Sequence, residues 1–103
     1  MVTATWTLNG QPASAALCGN ERRFVSLGLT EVTGRWTYHM DILCSTGQAV
    51  FPAPNQGCYE LTGYLNEFGD PNPLPAMLIA GPSVAAVRVG TAPATAALDF
   101  TLP

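Results

Sequence analysis

Lysine is absent from this chain of 103 residues, and its four cations are all arginines: Arg22, Arg23, Arg35 and Arg88. That absence excludes Schiff-base catalysis, a phosphate-loop lysine and a Lys-Asn isopeptide cross-link. Charged residues make up 11% of the chain, well under the roughly 25% of an average soluble domain. With a net charge of −3 and only Arg22 and Arg23 adjacent, there is no cationic stripe to displace counterions, so nucleic acid is excluded as a partner. No apolar run approaches the roughly 18 residues of a membrane helix. The longest, residues 76–80, has the length of a strand. Met1 is followed directly by an alternating segment rather than by a basic start and an apolar leader. For an exported protein, the expectation is that the leader has been removed and that Met1 stands in its place.

Low charge does not mean disorder here, because 48% of residues are apolar and 9% aromatic. The apolar residues alternate with polar ones in short runs cut by Gly, Pro or Asn. Trp36, Tyr38, Met40 and Ile42 fall on every second residue, as do Val2, Ala4, Trp6 and Leu8; Val25, Leu27 and Leu29; and Tyr59, Leu61, Gly63 and Leu65. Period 2 places each set on one face of a half-buried strand. Strands are expected over residues 2–8, 24–32, 35–43, 58–66, 77–80, 84–89 and 97–102, with a short edge strand at 48–51. Asn9-Gly10 ends the first, and Thr33-Gly34 turns the second into the third as an antiparallel hairpin. The Ala-rich stretch 11–20 is too weakly periodic for a helix. About seven or eight strands spaced some 10 to 15 residues apart imply one all-β domain over residues 1–103, a two-sheet antiparallel β-sandwich of immunoglobulin-like or prealbumin-like form.

The three cysteines, Cys18, Cys44 and Cys58, allow one disulfide and one leftover thiol. Cys18 precedes the second strand and Cys44 ends the third, so a bond between them joins distant elements and is the favoured pairing. Cys44 with Cys58 is the alternative, and three buried reduced thiols is the plain one. In the favoured pairing Cys58 is left as a free or intermolecular thiol.

Trp6-Thr7-Leu8-Asn9-Gly10, Cys18, Cys44 after a Trp/Tyr strand, and Gly57-Cys58-Tyr59-Glu60-Leu61 leading into Leu65-Asn66-Glu67-Phe68-Gly69 together resemble exported immunoglobulin-like or transthyretin-like domains of myxobacterial lipoproteins and surface proteins. The likeness covers most of residues 2–70. It implies a sandwich fold and an extracellular, cell-surface or periplasmic location, and no particular activity. The third cysteine and the Pro-rich stretch after Gly69 depart from the pattern.

No candidate for chemistry assembles from the remaining residues. His39 is the sole imidazole, too few for a copper site, and no Cys-x-x-Cys spacing supports zinc. It alternates with Tyr38 and Met40 and is expected to face solvent. A Cys58 or Cys18 thiol beside His39, or carboxylates from Asp41, Glu60 and Glu67, would be the only routes to catalysis. Outward strand positions explain Asp41 and Glu60 without it. The loop from Glu67 to Asn72, with Asp70, offers hard oxygens to calcium, though few for an ion that takes six or more. Trp6, Trp36, Tyr38 and Tyr59 share the inward parity and are expected to fill the core. Tyr64 has the opposite parity and, with Phe68, is the candidate ligand contact. These observations lead to a non-catalytic module with no cofactor, serving adhesion, structural assembly or protein interaction through its edge strands. The alternative is a module binding carbohydrate or another small ligand through Tyr64, Phe68 and the Pro-rich loop.

Overall fold

The computed structural model describes residues 1–34, 36–52, 55–68 and 77–103. Within them lie the strands β1 (Val2–Leu8), β2 (Gln11–Pro12), β3 (Arg23–Glu31), β4 (Thr37–Leu43), β5 (Gln48–Phe51), β6 (Gly57–Glu67), β7 (Met77–Val89) and β8 (Ala94–Phe100), with a short 3-10 turn at Cys44–Thr46. They form two sheets. In the first, β1 takes β5 along Val2 to Thr5 and β2 at Thr7 and Leu8 on one side, and β8 on the other. The second has the order β4-β3-β6-β7 and is antiparallel throughout.

The alternation in the sequence becomes the core directly. In β1 the odd residues Thr3, Thr5 and Thr7 stay half-buried while Val2, Ala4, Trp6 and Leu8 are buried. They meet Ala49, Phe51, Ala96, Leu98 and Phe100 of their own sheet, and Val25, Leu27, Leu29, Tyr59, Leu61, Leu65, Val87 and Val89 from the other. Each large side chain removed from water in this way contributes about 1.5–3 kcal/mol. No charged residue is buried among the described residues. Gly63 is buried between the layers: a Cβ there would sit 2.6 Å from Leu98 Cδ1 and 3.1 Å from Phe100 Cζ. The opposite sheet occupies the space of its missing side chain.

Cys18 and Cys44 form a disulfide with Cα atoms 5.5 Å apart. It pins the loop between β2 and β3 to the end of β4. The guanidinium of Arg23 fastens the same loop by donating to the Leu17 carbonyl at 3.2 Å. At the β1–β2 turn, Asn9 and Gly10 both take positive φ, 52° and 75°. The Asn9 amide side-chain oxygen accepts from Leu102 N at 2.8 Å, so this turn also holds the chain that leaves β8.

Four expectations are corrected. β1 and β8 pair in parallel, Val2 opposite Ala94 through Leu8 opposite Phe100, where antiparallel sheets were expected. Alternation puts every second side chain on one face in either kind of ladder, so it carries no strand direction. Residues 77–80 and 84–89 belong to one 13-residue strand, β7, rather than two. β7 is an edge strand, where Pro82 removes no ladder bond that matters, and register shifts opposite Gly63, Leu65 and Asn66 absorb the irregularity. The last strand begins at Ala94 and ends at Phe100, not 97–102. Finally, Trp36 precedes β4 and is 45% exposed, so it is not a core residue. Its parity is inward, but among the described residues no facing strand covers it, whereas Tyr38, Met40 and Ile42 are half-buried against the core.

Candidate binding face

Among the described residues nothing covers the outer face of the β4-β3-β6-β7 sheet, and the ladder registers arrange its side chains in rows. One row runs Leu43, Phe24, Asn66, Leu78; the next Asp41, Ser26, Tyr64; the next His39, Gly28, Thr62, Val84; and the next Thr37, Thr30, Glu60, Ala86. Phe68 folds back at the first row and stacks on Phe24, ring centroids 4.7 Å apart and planes tilted by 36°. That end of the face is apolar.

In the middle of the face the small residues Ser26 and Gly28 leave a depression of about 410 Å³. Its floor is the backbone of β3. Asp41 and His39 rise from β4 on one side, and Tyr64 and Thr62 from β6 on the other, with Thr30 closing one end. These walls stand two strand spacings apart, roughly 10 Å. Among the described residues, neither the Asp41 carboxylate nor the His39 imidazole has a hydrogen bond or ion pair. The Ser26 hydroxyl accepts from Asn66 Nδ2 at 3.2 Å. Tyr64 is 39% exposed, as its parity implies.

Other groups singled out in the sequence do not converge. Cys58 is exposed and free on the same outer face, opposite Arg88 of β7. It lies four residues along and two strands across from His39, roughly 15 Å, too far for a thiol and an imidazole to act together. Cys18 is held in the disulfide. Asp41 and Glu60 are separated by a similar span, beyond the roughly 5–10 Å that glycosidic chemistry uses. Glu67 lies 3.9 Å from the Arg22 guanidinium. Asp70 and Asn72, the other proposed calcium ligands, lie outside the described residues. No group of three His, Cys, Asp or Glu side chains able to hold a metal ion occurs among the described residues.

Two titrations report local structure elsewhere. Burial, with help from the nearby Glu31 carboxylate, pushes the Tyr59 phenol above its ordinary value; its hydroxyl donates to the Asn55 carbonyl at 2.9 Å. The Asp99 carboxyl is held below its ordinary value because it accepts from the Thr7 hydroxyl at 2.6 Å and the Gly10 amide at 2.8 Å.

The free edge of the sheet is the second feature of this face. Among the described residues β4 pairs only with β3. Glu31 N donates to Trp36 O at 2.9 Å, and along a regular antiparallel ladder this turns the backbone groups of Tyr38, Met40 and Ile42 toward β3. The N–H and C=O groups of Thr37, His39, Asp41 and Leu43 therefore point outward from the edge.

Gly28 is the residue of this face that the sequence reading passes over, although an isolated glycine inside a strand pattern is a signal for it. No helix long and apolar enough to cross a membrane occurs among the described residues. Comparison with protein-family models, with curated proteins and with solved structures finds no match to this chain.

Proposed function

We propose that the domain is a non-catalytic interaction module, exported to the periplasm, the cell surface or the extracellular space, that assembles by pairing β4 with the same strand of a second copy. The observation behind this reading is the row of outward-facing backbone groups at Thr37, His39, Asp41 and Leu43, centred on Met40. Such an unpaired ladder accepts a neighbouring strand. Two copies of β4 related by a two-fold axis through Met40 satisfy all four positions at once. In that register His39 lies beside Asp41 of the partner subunit, and the reverse, while like charges are kept apart. The interface is isologous and closes as a dimer. Trp36 and Leu43, each 45% exposed, stand at the two ends of the edge and gain cover from the added strand. The disulfide supports the exported setting, because such bonds persist in oxidising compartments.

Sedimentation velocity over a range of concentrations, with and without reductant, tests the reading. A reversible dimer that persists in reductant is expected, since Cys58 is not the bond that makes it. Leu43→Pro removes one outward N–H at a residue whose φ of −58° already suits proline, so the variant folds and the dimer weakens. Exchanging the pair, His39→Asp with Asp41→His, keeps the association, whereas Asp41→Arg alone, which sets a guanidinium beside His39 of the partner subunit, weakens it. Monomer at every concentration overturns the proposal.

A further inference from the structure

We infer that the depression over Gly28 is a binding site for a neutral sugar ring, an activity separate from assembly at the β4 edge. Most glycines of the described chain have an evident internal reason. Gly10, Gly19, Gly34, Gly47, Gly57 and Gly81 take positive φ, and Gly63 is overlaid by Leu98 and Phe100. Gly90, just past the end of β7, and Gly28 have neither reason, and of the two only Gly28 lies inside a strand. Its φ is ordinary for a strand, and an added Cβ would meet only His39 ring atoms at 3.7 Å, normal contact. A glycine in a strand interior weakens the strand and often marks a bulge, a tight bend or a close approach from outside; both ladders of β3 run through Gly28 without a register shift, which leaves the close approach. The missing side chain opens the floor of the depression.

The lining is mostly apolar with a few polar groups, a mixture that matches the C–H face and the hydroxyls of a sugar ring. Tyr64, 39% exposed at the wall, supplies aromatic surface of the kind on which the C–H face of a sugar packs. Opposite it, Asp41 accepts hydrogen bonds from hydroxyl groups, and a carboxylate has about four acceptor positions, so pairing across the β4 edge leaves room for a ligand. His39 and Thr62 add groups that both donate and accept. The volume of about 410 Å³ falls within the roughly 300–1,000 Å³ of small-molecule sites. Charge narrows the class further. Among the described residues Asp41 is the only formally charged side chain lining the depression, and the chain carries −3 overall, so phosphorylated, sulfated and acidic sugars are disfavoured. Among the described residues no third metal ligand joins His39 and Asp41.

Titration of the isotope-labelled protein with methyl glucoside, methyl galactoside and methyl mannoside, followed by amide NMR, tests this site. At least one glycoside is expected to give saturable shifts at Ser26, Gly28, Thr62 and Tyr64 with a millimolar Kd. Tyr64→Ala weakens that binding about tenfold by removing the stacking face. Gly28→Val fills the floor with a side chain that favours strands, and abolishes the shifts while the remaining spectrum shows the fold intact. Leu43→Pro, which disrupts the edge, leaves the affinity unchanged, so loss of the dimer and loss of the sugar site are read separately. No shift with any of the three glycosides, or shifts confined to Phe24 and Phe68, overturns the inference.

Discussion

The indole Nε1–H of Trp6 donates to the carbonyl oxygen of Cys44 across 2.8 Å of buried space, so a strand of one sheet is bonded to the half-cystine that follows the edge strand of the other. Trp6→Phe keeps an aromatic ring in the core and deletes the donor. The Cys44 carbonyl retains the Gly47 amide at 3.3 Å, which keeps the loss at the lower end for a buried hydrogen bond. A destabilisation of about 1–2 kcal/mol is expected in urea unfolding. A midpoint equal to that of the parent protein would show that the bond contributes nothing net.

The disulfide beside this bond spans 26 residues. Restricting the unfolded chain over such a loop stabilises the fold by about 3–4 kcal/mol. Cys18→Ala with Cys44→Ala is expected to lower the unfolding free energy by that amount, while Cys58→Ser, at an exposed position, changes it by less than about 0.5 kcal/mol. Equal effects of the two changes would mean that Cys58 takes part in a bond.

One substitution made at two glycines is expected to act in opposite directions. At Gly63 the new methyl group would meet Leu98 Cδ1 at 2.6 Å, and overpacking of this kind costs about 1–3 kcal/mol. At Gly28 there is ordinary space for it, so Gly28→Ala stabilises the strand by about 0.5–1 kcal/mol. Thermal or chemical unfolding of the two variants reads both signs. Destabilisation by Gly28→Ala would mean that the fold itself needs the glycine.

Those two glycines also show how far the sequence could be read. The in-out pattern of β1, β3 and β6 follows residue by residue from apolar spacing, because a strand between a core and solvent must alternate. Tyr64 is placed outward by the same rule. Trp36 obeys the parity and is still exposed, because burial needs an opposite layer as well as an inward direction, and layer overlap is a tertiary property. The parallel β1–β8 pair and the unity of β7 are set by long-range ladders that leave no local trace. Phe68, the other candidate ligand contact, is 48% exposed and lies against Phe24 rather than in a row with Tyr64. The depression was hidden for a different reason: its defining residue has no side chain, and a search for chemistry-bearing groups passes over it.

Asp99 provides a pH-dependent reporter of how the first and last strands are joined. Its carboxylate accepts from the Thr7 hydroxyl and from the Gly10 amide, and these two bonds, the hydroxyl's first, hold its ionisation below the ordinary range. The charged form is therefore favoured by folding. Its contribution is fully present above the unfolded-state value of about 3.9 and disappears as pH falls through the lower value of the folded protein. Asp99→Ala removes the acceptor at every pH. The stability difference between parent and variant, measured by urea unfolding, is thus constant from neutral pH down to about pH 5 and narrows below about pH 4. A difference that stays constant through this acid range would mean that neither bond depends on the charge, and that the β1–β2 turn is held to β8 by the Asn9 contacts alone.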